Sequence, residues 1–297
     1  MTVQYDLHFH SSHSDGKLSI AELAAMIKEK LLIYCAVADH DTVAGVWELQ
    51  NCLAGAGATV IPATELTAKY GNNEVHLLAY DFDISAMAAV LAERHELVDF
   101  QRIKEMAMAI QQFRAEGFIV DKNLLPVVTQ PIGLTVVLAL CANSLNQEIF
   151  IQRHGKPFVP EDVFYAYQAP GKPCATERSG VTVEWLVDRV KNIVHDLIIA
   201  HPFVSVSVVT KPLDEAELKK LLDMGITGVE VYHHDTSDEQ IKFLEQFVRE
   251  HGLHYTGGSD SHGREKNTPL GQYGVGKVIP GFCLTNYASI RNSEIAG

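Results

Sequence analysis

Six apolar runs in this chain end in, carry or lead into a histidine or a carboxylate. "VQYDLHF" (3–9) brings His8 and then His10, "IYCAVADH" (33–40) ends on His40, and "ATVIPATE" (58–65) ends on Glu65. "EVHLLAY" (74–80) carries His76, "DLIIAHP" (196–202) carries His201, and "LHYTGG" (253–258) leads into Asp260 and His262. Near-continuous apolar runs of this length read as strands buried on both faces of a parallel sheet. Helical patterns alternate with them, beginning at "SIAELAAMIKEK" (19–30), where Ser19 and Glu22 stand in capping-box spacing. Further helices are expected over 181–194, 213–224 and 237–251, with another strand at "GVEVY" (228–232). The alternation predicts an α/β fold of about seven strands. In a closed parallel barrel, residues leaving the C-terminal strand ends converge on one mouth, however far apart they lie in the chain.

A different pattern interrupts the alternation. One or two long helices are expected from about Ser85 to a stop at Gly117, followed by an irregular stretch to 180 that holds most of the prolines. The stripe Met106, Met108 and Ile110 reads as core of that region. The expected division is therefore a barrel of 1–84 and 181–297, with 85–180 an inserted, mainly helical subdomain.

Composition narrows the function. A formal net charge of −13 disfavours a basic groove and hence a stable nucleic-acid complex. The five cysteines are odd in number and lack a CxxC pair, which favours reduced thiols over disulfides or a thiolate zinc site. No apolar run approaches the ~20 residues that span a bilayer, and no signal-peptide pattern opens the chain, so a cytoplasmic location without membrane contact is expected. Fourteen histidines hint at metal chemistry.

The candidate ligands suit that chemistry. Side chains at i and i+2 of a strand point the same way, so His8 and His10 can grip one ion together. Asp15 sits in a loop able to fold back over the same mouth. A carboxylate such as Glu65 can bridge two ions. Histidine and carboxylate ligands without thiolate suit manganese, iron or zinc.

Taken in order, "DLHFHSSHSDG", "ADHDT", "PATEL", "VHLLAY", "AHP" and "GGSDSHG" resemble the successive motifs of the polymerase and histidinol phosphatase (PHP) family of metal-dependent phosphoesterases. The resemblance implies a distorted seven-stranded (β/α) barrel and three divalent ions, manganese first, with zinc or iron as alternatives. It assigns His8, His10, Glu65 and Asp260 to the first ion, Glu65, His76 and His201 to the second, and Asp15, His40 and His262 to the third. A water shared by two ions is a hydroxide near neutral pH. Glu65, His201 and Asp260 are thus the expected catalytic residues, holding the ions that carry it.

Asp15 in "HSDG" resembles the branch acting on 3′,5′-bisphosphorylated nucleotides or short RNA 5′ ends, so a small phosphorylated substrate is the expected partner. Another small phosphomonoester, such as histidinol phosphate, is the alternative. Many relatives carry Arg-Pro-His near the end of the insertion. Here "TQPIGL" (129–134) puts Gln130 and Ile132 in place of its cation and imidazole. The expected phosphate contacts are then Arg178 first, because a planar guanidinium binds phosphate with two parallel bonds, followed by Lys172 and His233.

Overall fold

The computed structural model describes residues 4–127, 130–205, 211–264, 269–274 and 276–291. Thr129 lies outside them. The chain divides into two compact units, one of residues 1–93 and 181–297, the other of residues 94–180.

The first unit opens with β1 (Gln4–Phe9), α1 (Ile20–Lys30), β2 (Leu32–Val37), α2 (Ala44–Cys52) and β3 (Thr59–Val60). These strands form a parallel sheet in the order β1-β2-β3. Helix α1 starts where the capping box places it. Ser19 Oγ accepts from Glu22 N, and Glu22 Oε2 accepts from Ser19 N at 2.8 Å. Its Ile20, Leu23, Ala24 and Ile27 are buried.

The hairpin β4 (Ala63–Tyr70) and β5 (Asn73–Phe82) follows, and α3 (Ile84–Ala115) runs from this unit into the second. The second unit adds α4 (Ile132–Cys141), α5 (Ser144–His154), α6 (Pro160–Val163) and a π-helical turn, Phe164–Gln168. The stretch expected to be irregular is thus largely helical. Phe113, Phe118, Val136, Leu140, Phe150 and Tyr167 form its core. Met106 and Ile110 join that core, but Met108 is 51% exposed, because i+2 falls on the opposite face of a helix. Among the described residues no single helix is long and apolar enough to cross a membrane, although α4 and α5 pass that test as a bent pair. Ile132, Val136, Leu140 and Phe150 bury their apolar surface within the unit.

Returning to the first unit, the chain forms α7 (Val183–Val190), β6 (Val194–Ile199), α8 (Glu215–Asp223), β7 (Gly228–Tyr232), α9 (Asp238–His251) and β8 (His254–Gly257). Short strands β9 (Gln272–Tyr273) and β10 (Lys277–Val278) pair with each other, and β11 (Gly281–Leu284) and β12 (Tyr287–Arg291) end the described chain. The larger sheet has the order β12-β11-β8-β7-β6-β5-β4.

One expectation needs correction. The sheet is mixed rather than parallel, since β4–β5 and β5–β6 are antiparallel. Tyr70 faces Asn73 across a two-residue turn, and Gly71 supplies the positive φ, 58°, that such hairpin turns need. Glu65 therefore lies inside β4 rather than after a strand, the 58–65 run being broken at Pro62. Among the described residues the ladders do not close into one continuous ring, and isolated bridges, Phe9 to Ser261 and His40 to Glu65, join the two sheets.

Those bridges fall on the ligand motifs. His10 N donates to Ser261 O (2.9 Å), Asp260 N to His8 O (2.7 Å) and Asp41 N to Glu65 O (2.9 Å). Gly258 makes the first junction possible, because a Cβ there would lie 2.1 Å from His8 Cβ. Gly16 lets the "HSSHSDG" loop fold back, as a Cβ would stand 2.7 Å from the His10 carbonyl. Two buried acids clamp the segments. Asp6 accepts from the backbone N–H groups of His8, Ser259 and Gly271, and burial pushes its carboxyl up to about 6. Asp39 accepts from Ser11 N (2.7 Å), Ser11 Oγ (2.6 Å) and Ser14 Oγ (2.5 Å), which accounts for two of the three serines of that loop.

Candidate metal centre

Glu65 sits at the meeting point of the two sheets, buried, with a histidine on every side. Its Oε1 lies 2.8 Å from both His76 Nδ1 and His201 Nε2. Its Oε2 lies 3.2 Å from His8 Nε2 and His10 Nε2, and 3.3 Å from His40 Nδ1. One carboxylate thus faces two groups of nitrogen donors through two different oxygens, the arrangement of a bridging ligand.

His8, His10, Glu65 and Asp260 form the most buried group. Its ligand atoms are separated by 3.3 Å (His8 to His10), 3.2 Å (each to Glu65), 3.5 Å (His8 to Asp260) and 3.0 Å (His10 to Asp260). Donors about 2.0–2.2 Å from a tetrahedral ion stand roughly 3.3–3.6 Å apart, and cis donors of an octahedral ion about 2.8–3.0 Å apart. The observed spacings span that range. Asp260 Oδ1 and His10 Nδ1 are also buried without a hydrogen bond among the described residues. Buried polar atoms are as a rule hydrogen-bonded, and two without a partner in one donor set fit a cation there.

A second group joins His10, Asp15, His40 and His262, with His262 Nε2 3.1 Å from Asp15 Oδ1. The third joins His40, Glu65 and His76, and His201 adjoins it through Glu65. All nine sequence-derived ligand candidates therefore come together. His10 and His40 each take part in two groups, whereas the sequence assigned each to one. The backbone carries positive φ at two of the nine, His201 (24°) and Asp260 (48°). Such conformations cost free energy and concentrate at functional sites.

The electrostatics follow from burial and crowding. Burial alone would lower the His8 pKa, but Glu230, Glu65 and Asp260 outweigh it and hold the imidazole well above its ordinary range. Likewise His10 rises to about 9 against its burial, through Asp260 and Glu65. Burial would raise Glu65 and Asp260, yet the surrounding imidazoles hold both well below the usual carboxylate range. For His40 burial prevails, and its pKa falls to about 4.

Outside the nine, some residues orient the ligands. Glu230 on β7 is buried, with Oε1 2.9 Å from His8 Nδ1 and Oε2 accepting from His201 N at 2.8 Å. It fixes the proton of His8 on Nδ1 and leaves Nε2 for an ion. Sequence reasoning missed it, although a lone acid inside the apolar "GVEVY" was the available signal. His262 Nδ1 lies 2.9 Å from Asp260 O, which likewise frees its Nε2. His233, expected to bind substrate, is 1% exposed; its Nδ1 accepts from Asp235 N, so Nε2–H faces Asp260 Oδ2 at 3.2 Å. Lys172 and Arg178 are exposed residues of the helical unit.

No protein-family profile matches the chain. Curated relatives do. The 5′-3′ exoribonuclease Rnm of Escherichia coli is 26% identical over 289 residues, covering 92% of each chain. A 3′,5′-nucleoside bisphosphate phosphatase of Chromobacterium violaceum is 26% identical over 265 residues, 86% of each. Among solved structures, one from Bifidobacterium adolescentis, assigned as a metal-dependent phosphoesterase, superposes with a TM-score of 0.61 at 22% identity over 92% of both chains. The chain is a homologue of the two enzymes and shares its fold with the third protein, and its ligand motifs stand in the order that resembles the PHP metal-dependent phosphoesterases.

Proposed function

We propose that this protein hydrolyses phosphate esters of nucleotides, either 3′,5′-bisphosphorylated nucleotides or short RNA 5′ ends. The observation that carries this reading is the two-sided carboxylate of Glu65 among five imidazoles, in a chain homologous to an exoribonuclease and a bisphosphate phosphatase. The two sheets are read as parts of a distorted seven-stranded barrel, with 85–180 inserted into it.

Three divalent ions, manganese first, would be held by His8, His10, Glu65 and Asp260, by Glu65, His76 and His201, and by Asp15, His40 and His262. When bound, such ions supply Lewis acidity toward water and phosphoryl oxygens. The chain supplies the rest. Glu65, His201 and Asp260 fix the reacting geometry, Glu230 and His233 hold His8 and Asp260 in orientation, and the buried floor of β1 keeps bulk water away. No side-chain nucleophile is needed. Arg178 and Lys172 remain the proposed phosphate contacts of the helical unit.

One observation favours the alternative of another small phosphomonoester, such as histidinol phosphate. Ile132 is 2% exposed in the core of the helical unit and carries no polar side-chain atom, so it does not replace the imidazole of the Arg-Pro-His phosphate contact. Phosphate release from adenosine 3′,5′-bisphosphate, mononucleotide release from short 5′-phosphorylated RNA, and phosphate release from histidinol phosphate separate the readings. Preference for the first two is expected; turnover of histidinol phosphate alone overturns the nucleotide assignment.

A further inference from the structure

A shallow, open cleft lies beside the centre, lined by Glu74, His76, His201, Val204, Lys211 and Leu213 among others. Lys211 is the only lysine or arginine among the described residues that line it.

That lysine is exposed, yet its backbone is tied to the centre from both sides. Asn73 Oδ1 accepts from Lys211 N, and Asn73 Nδ2 donates to Lys211 O, both at 2.9 Å. Asn73 opens β5, the strand that delivers His76. On the other side Leu213 N donates to Pro202 O at 2.8 Å, next to His201. The segments that carry His76 and His201 therefore also anchor the backbone at Lys211. The acid in the cleft, Glu74, stands opposite Lys69 in the β4–β5 register, where opposite charges pair favourably. An ammonium is a compact point charge with three donors, suited to a phosphate that need only be held.

We propose that Lys211 is a specificity-determining residue that binds a second, non-reacting phosphate of the substrate. Resting on the phosphoesterase reading, this adds what that reading lacks, a reason to prefer substrates with two phosphates. A 3′,5′-bisphosphorylated nucleotide and a short RNA share that chemistry.

The test compares wild type, Lys211→Ala and Lys211→Arg on adenosine 3′,5′-bisphosphate, a 5′-phosphorylated RNA trimer and p-nitrophenyl phosphate. Loss of a charge-assisted contact should lower kcat/KM on the bisphosphate or the RNA, relative to p-nitrophenyl phosphate, by about tenfold or more. The loss should fall mainly on KM, and arginine should restore most of it. A fall on only one of the two substrates identifies the source of the phosphate. An unchanged ratio overturns the proposal and leaves the phosphoesterase reading standing. If wild type turns over none of the three, calorimetric binding of adenosine 3′,5′-bisphosphate to metal-loaded protein decides. Weaker binding by Lys211→Ala supports the assignment, equal binding overturns it, and no binding by wild type overturns both readings.

Discussion

Glu230 Oε1 lies 2.9 Å from His8 Nδ1, and both side chains are fully buried. A buried carboxylate behind a buried imidazole fixes the tautomer, aims Nε2 at the ion and raises its basicity. Glu230 also holds the His201 backbone at its positive φ, so two arms of the centre depend on it.

Glu230→Gln keeps the shape and removes the charge. It should weaken manganese or zinc binding by about 10–100-fold, with the circular dichroism spectrum of wild type. Metal titration followed by calorimetry checks this, and unchanged affinity would show that His8 is oriented by packing alone.

Metal affinity should rise with pH. Neighbouring carboxylates outweigh burial to hold His8 well above its ordinary pKa and His10 at about 9, so both imidazoles carry a proton in the metal-free protein at neutral pH. A ligand nitrogen must be deprotonated, so binding releases protons. Affinity therefore increases from pH 6 toward pH 9. Proton release in weakly buffered titrations is the direct readout; pH-independent binding with no release would contradict it.

Gly258→Ala should disrupt the centre from outside it. A methyl group 2.1 Å from His8 Cβ cannot be accommodated unless β1 and the segment after β8 separate. Overpacking of this kind costs about 1–3 kcal/mol, and the gap would also pull Asp260 from His8. Urea denaturation and metal titration of the variant should both shift, whereas wild-type stability and affinity would mean that the junction is soft.

Much of this arrangement was legible because most of the ligands stand at or near the end of an apolar run. Polar groups that interrupt such runs, as His8, His40 and His201 do, are conspicuous. Strand direction was harder to read. Strands buried on both faces look alike whether parallel or antiparallel, and only the turn at Gly71 and Asn72 marked β4 and β5 as a hairpin. The buried acids Asp6, Asp39 and Glu230 hid inside apolar runs, where one carboxylate looks incidental until its partners are seen. The sharing of His10 and His40 between groups is set by side-chain directions, which spacing along the chain does not encode.

The most direct test of the account is phosphate release from adenosine 3′,5′-bisphosphate by protein stripped of metal and reloaded with manganese, wild type against Glu65→Gln and His201→Ala. Wild type should be inactive when stripped and active when reloaded, and both variants should lose at least a hundredfold in kcat/KM while staying folded. Activity that persists without metal, or that survives the loss of Glu65, would contradict a mechanism built on this centre.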